Sequence, residues 1–156
     1  MYQDALQWAV SLMRMTGMKG WTTGLEGLLA WAEMMDRPVP LFPEQEEAYY
    51  SMFYLSTSIQ ITMLRDHGLV EPFLLQAIKA APDFEPELSQ AVACYAEASR
   101  IRDSMDTLIA DNFSPQAIQA IKQLKIRHAF ADAIRRIRDV EDEAISHIEE
   151  LLERIG

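Results

Sequence analysis

PEQEEAYYSMFYLSTSIQITMLRDHG, residues 43–68, supports two incompatible readings. Phe53, Leu55, Thr57, Ile59, Ile61 and Met63 alternate with Tyr54, Ser56, Ser58, Gln60 and Thr62, which is the two-residue period of a strand. Ala48, Met52, Leu55, Ile59 and Met63 also recur at three- and four-residue steps, the spacing of one helix face. The flanks decide. Pro43 is preset for a first helical turn, and Glu44, Glu46 and Glu47 complement the positive end of a helix dipole. His67 suits a carbonyl end and Gly68 a left-handed exit. No second segment reads as a strand that could pair with this one. The reading is a helix, and one apolar nearly all round predicts the central helix of a bundle.

Working outward, prolines and glycines divide the rest into helices. Leu6, Val10, Leu12 and Met13 predict a helix over 3–16, closed by Gly17 and Gly20. Thr23-Gly24-Leu25-Glu26 fits a capping box opening a helix that runs through Met35, short of Arg37-Pro38. PVPLFP, residues 38–43, is a stiff connector. Pro72 opens a short helix ending near Pro82, and Pro86 opens another reaching about Asp111. Ser114-Pro115 opens the last helical region. The expected fold is all-α: one domain over 1–156, a bundle of six or seven helices with a long C-terminal helix.

Composition narrows function. Of 156 residues, 49% are apolar and 24% charged, ordinary for a globular chain. Fourteen Lys and Arg face 24 Asp and Glu, a net charge of −10. That opposes general affinity for nucleic acid or anionic membranes and permits a basic protein partner. A single cysteine allows no internal disulfide, no basic-then-apolar start reads as a signal peptide, and no uncharged run is apolar enough to span a bilayer. The reading is a cytoplasmic protein without cofactors.

KQLKIRHAFADAIRRIR, residues 122–138, breaks the acidic pattern. Lys122, Lys125, Arg127, Arg135, Arg136 and Arg138 face only Asp132, a net +5 that leaves −15 for the rest. Asp132 stands three and four residues before Arg135 and Arg136, Arg135 four before Asp139, and Arg138 three and four before Glu141 and Asp142. Such neighbours predict a salt-bridged helix surface. Lys122, Lys125 and Arg127 lack a local acid and are candidates for a partner-binding patch. The apolar face jumps between Leu124 and Ile126, so the chain either changes packing partner or breaks near Lys125. A break would let residues 115–138 act as a helix-turn-helix, which the string resembles in apolar spacing. Lys125 stands where that motif favours glycine.

On a helical wheel, Phe130, Ile134, Ile137, Ile145, Ile148, Leu152 and Ile155 fall within about 80° of arc, with Glu141 in their midst. A buried carboxylate needs a partner. Arg138 is the local choice. The alternative, supported by the stripe's 4–3 spacing, is a seam along 126–155 through Phe130, Ile134, Ile137, Glu141, Ile148, Leu152 and Ile155, where a polar position sets register; the expectation is a homodimer held by it.

Catalytic signatures are sparse. Gly17, Gly20, Gly24 and Gly27 lack the preceding strand and following Lys-Ser/Thr of a phosphate loop. Glu143 and His147 share a helix face and could supply two metal ligands, with no second pair at recognisable spacing; His67 and His128 stand elsewhere. Asp103 and Asp106 read as ion-paired to Arg100 and Arg102, and Cys94 as a small core residue. No metal ligand set is expected. The first 35 residues crowd Met13, Met15, Met18, Met34 and Met35 with Trp8, Trp21 and Trp31. Such side chains fill cores or line adaptable grooves, and Met13, Met18 and Trp21 are candidate partner contacts. The sequence thus points to a non-enzymatic protein-binding module: an inhibitor, an adaptor or an assembly chaperone. A helix-turn-helix regulator and a metal-dependent helical-bundle enzyme are the alternatives.

Overall fold

The computed structural model describes residues 2–17, 23–38, 43–109 and 114–156. Among these residues seven α-helices run in the order α1 (Tyr2–Met13), α2 (Gly24–Asp36), α3 (Pro43–Asp66), α4 (Val70–Ala80), α5 (Glu85–Met105), α6 (Pro115–Lys122) and α7 (Leu124–Ile155). No strand occurs among the described residues, and the alternation at 53–63 lies within α3. The chain is an all-α single domain with a long C-terminal helix. No helix among the described residues is long and apolar enough to cross a membrane.

The spine is α7, not α3. Its 32 residues extend about 48 Å. It packs most heavily on α5 and α2, and also on α1 and α6. Small buried residues recur on both of the most closely packed helices: Ala91 and Ala98 on α5, and Ala131, Ala133 and Ala144 on α7. The core divides along α7 into two clusters. Phe130, Ile134 and Ile137 join Trp31, Met35, Phe53, Ile101 and Ile121 at one end. Ala144, Ile145, Ile148 and Leu151 join Leu6, Val10, Leu74, Leu88 and Tyr95 at the other.

This burial corrects the seam. Phe130, Ile134, Ile137, Glu141 and Ile148 are at most 1% exposed within one chain, covered by its own helices. Leu152 and Ile155 are half-buried against the second cluster. A helix enclosed by its own bundle has no free stripe to offer a second copy.

Several boundaries also shift. The capping box at Thr23 does not form: its hydroxyl donates to the Met15 carbonyl at 3.3 Å. Gly24 takes φ +56°, and a Cβ there would stand 2.3 Å from the Met13 carbonyl oxygen, so the crossing of α1 and α2 requires glycine. Gly68 is not left-handed, since positive φ among the described residues is confined to Gly17 and Gly24. Instead α3 passes through a 3₁₀ turn, His67–Leu69, directly into α4. α1 and α5 stop short of residues 16 and 111. Ser114 caps α6, its Oγ accepting from the Ala117 N–H at 3.2 Å. The break between α6 and α7 is one extended residue, Gln123 (ψ 117°), where a helix-turn-helix uses a turn of three to four residues.

Candidate protein-binding face

α3 has two apolar faces, and the bundle covers one. Tyr50, Phe53, Tyr54, Thr57 and Leu64 are buried. Tyr49 stacks on Phe53 with ring centroids 5.8 Å apart. The aromatic face therefore wins the core, because its rings bury more apolar area than the methionine stripe would. Met52, Leu55, Ile59 and Met63 are left 67%, 43%, 53% and 58% exposed. These are the residues the sequence reading assigned to a central core. Together they present on the order of 400 Å² of apolar surface, within the range of a functional patch on a monomer. The span Ala48–Leu64 holds no charged residue. Exposed Glu44 and Glu47 bound it at one end, and Arg65, paired with Asp106, followed by Asp66 bounds it at the other.

The basic stretch is mostly consumed inside the protein. Lys122 reaches Glu46 at 3.5 Å and lies over the Tyr50 ring. Arg127, predicted as a surface contact, is 3% exposed. Its guanidinium sits 5.8 Å from the Tyr50 centroid and 6.0 Å from that of Phe53, and Nη1 donates to the Arg37 carbonyl at 3.1 Å. An arginine can enter an aromatic core this way because it is weakly hydrated and stacks flat. Arg135 pairs with Asp36 and Asp132, Arg136 with Glu97, and Arg138 with Asp139 and Asp142. Within this stretch only Lys125 stands exposed without a carboxylate partner among the described residues.

Of the N-terminal candidates, Met13 is half-buried against the second cluster. Met18 and Trp21 lie outside the described residues. The exposed tryptophan on α1 is Trp8, 68% accessible, with Leu12 one turn on. α1 is pinned through Arg14, which bonds Asp142 and reaches Glu149 at 2.7 Å; its pKa is raised, first by the Glu149 hydrogen bond.

Glu141 finds its partner far away in sequence. His67 Nδ1 donates to its Oε1 at 2.7 Å, while Arg138 turns to other acids. The pair sits between the two core clusters, beside Leu64, Tyr95, Ala98, Ser99, Arg102 and Ile137. The hydrogen bond to Glu141 raises the His67 pKa, with burial opposing it. Tyr95 is also raised, by burial first and by Glu141 second. Asp103 and Asp106 are ion-paired, to Arg102 and to Arg65.

Sequence spacing separated Cys94 from the other candidate ligands, and the fold brings them together. Cys94 on α5 meets Glu143 and His147 on α7, one ligand atom from each lying within 4.8 Å of the others. No family model matches the chain, no curated protein matches its sequence, and no solved structure matches its fold.

Proposed function

We propose that this protein is a non-catalytic protein-binding module, an inhibitor, adaptor or assembly chaperone, that docks an amphipathic helix with basic flanks onto α3. The observation that carries the reading is the exposed stripe Met52, Leu55, Ile59 and Met63 on a chain of net charge −10. Covering it is worth on the order of 10 kcal/mol before association costs of similar size. Methionine suits such a face because its side chain re-packs around varied partners. The acids at the N-terminal end of α3 supply the charge complement. A basic flank beside Glu44 and Glu47 gains steering and specificity, whereas a second copy brings −10 of its own. The chain alone is therefore expected to be a monomer, with its seam residues spent on its own core. Lys125 is a secondary contact, and the exposed Trp8 and Leu12 on α1 take the place given to Met13.

The test compares the full chain with Ile59→Glu/Met63→Glu in the cell of origin. The variant should keep the helical signal of the parent and lose its partner. A stable complex that survives in the folded variant would contradict the reading.

A further inference from the structure

We infer that Cys94, Glu143 and His147 form a binding site for a single zinc ion clamped between α5 and α7. Thiolate, imidazole and carboxylate are the donors that zinc accepts, and three protein ligands leave a fourth tetrahedral position for water. The site goes beyond docking on α3 and does not depend on it.

The geometry is already close. Ligand atoms around a tetrahedral zinc stand about 3.3–3.8 Å apart, given bonds of about 2.0–2.3 Å. Here the three fall within 4.8 Å of one another. A contraction of about 1 Å by side-chain rotation completes the set. Glu143 and His147 stand one helical turn apart on α7, so one rigid face supplies two ligands. The third comes from the helix most tightly packed against it. His147 also has a carboxylate neighbour: its Nδ1 lies 3.3 Å from Glu150 Oε2, which leaves Nε2 as the nitrogen for a metal. A carboxylate on one ring nitrogen fixes the tautomer and leaves the lone pair on the other, as at many metal-bound histidines. Cys94 and His147 are half-buried, which limits competition from water, while exposed Glu143 gives the ion an entrance. A thiolate and a carboxylate together neutralise a divalent cation.

Without metal, burial and then the Glu143 charge raise the Cys94 thiol pKa. Zinc must displace that proton: the S–H bond breaks, a Zn–S bond forms, and the proton leaves to solvent. Binding therefore strengthens as pH rises. Thiolate ligation separates this site from magnesium or calcium chemistry, which uses oxygen donors.

The experiment is zinc titration of the reduced full chain by calorimetry, with cobalt substituted in parallel for its visible spectrum. The expected result is a 1:1 complex with Kd below about 10 μM, about one proton released per ion, and a sulfur-to-cobalt charge-transfer band. Cys94→Ser should abolish the band and weaken zinc binding at least about 100-fold, and Glu150→Gln should weaken it about 10-fold. Circular dichroism confirms that each variant folds. Absence of 1:1 binding by the parent, or zinc affinity unchanged in Cys94→Ser, would overturn the site.

Discussion

Replacing His67 with alanine removes the donor that holds the Glu141 carboxylate between the two core clusters. Glu141 is 1% exposed and its Oε2 already accepts no hydrogen bond among the described residues. Removing one partner of a fully buried ion pair costs about 3–5 kcal/mol. The His67 side chain is 36% exposed, so water reaches its side of the pair and softens the loss. The expected cost is about 2–3 kcal/mol, a drop in Tm of about 5–10 °C for a domain of this size. Glu141→Leu replaces the carboxylate with an apolar group among Ile137, Ala144 and Ile145, and should change stability by less than about 1 kcal/mol. In that background His67→Ala should cost under about 0.5 kcal/mol, because no buried charge is left behind. Urea unfolding of all four proteins, followed by far-UV circular dichroism, gives the coupling energy directly. A single-mutant cost for His67→Ala below about 0.5 kcal/mol would refute the claim that His67 is what keeps Glu141 inside.

The same pair sets a pH dependence. Because the folded state raises the His67 pKa, its contribution is fully present below the unfolded value of about 6.5 and fades as pH rises through the folded value; the urea midpoint should fall from about pH 6 to about pH 9, and His67→Gln should flatten that slope. Gly24→Ala forces a side chain at φ +56° into the α1 backbone and should lower stability by at least about 2 kcal/mol, read as a lower Tm. Arg127→Met keeps the stacking volume over Tyr50 and Phe53 but drops the bond to the Arg37 carbonyl, and should cost about 1–2 kcal/mol in urea unfolding. Ile59→Lys should shift stability by no more than about 0.5 kcal/mol, where a core isoleucine such as Ile134 replaced by lysine should not fold.

Periodicity and punctuation were enough for the helices. The apolar stripe of α7 is present as its spacing predicted, though it fills the chain's own core and not a seam, and the prolines at 43, 86 and 115 open helices. What periodicity cannot report is which of two apolar faces a helix turns inward. α3 carries aromatics on one face and methionines on the other, and the choice depends on rings contributed by distant segments, Trp31 among them. Local charge arithmetic anticipated Asp132 with Arg135 and Arg138 with Asp142. It missed Lys122 with Glu46 and Arg135 with Asp36, whose partners come from other helices. Glu141 was recognisable as a carboxylate in need of a partner, but His67 lies 74 residues away. Glu143 and His147 were visible as a pair at one-turn spacing, whereas Cys94 joins them only through the packing of α5 on α7.

The central claim is that the exposed face of α3 is where a partner sits. A photo-crosslinking residue placed singly along α3 in the full chain, in the cell of origin, tests it position by position. Met52, Leu55, Ile59 and Met63 should each yield an adduct with one other protein, mapped by mass spectrometry to an amphipathic helix with basic flanks, while exposed Glu153 on α7 yields none with that helix. Reversing Glu44 and Glu47 to lysine should weaken those adducts. Adducts only with a second copy of this chain, or none from any of the four positions, would contradict it.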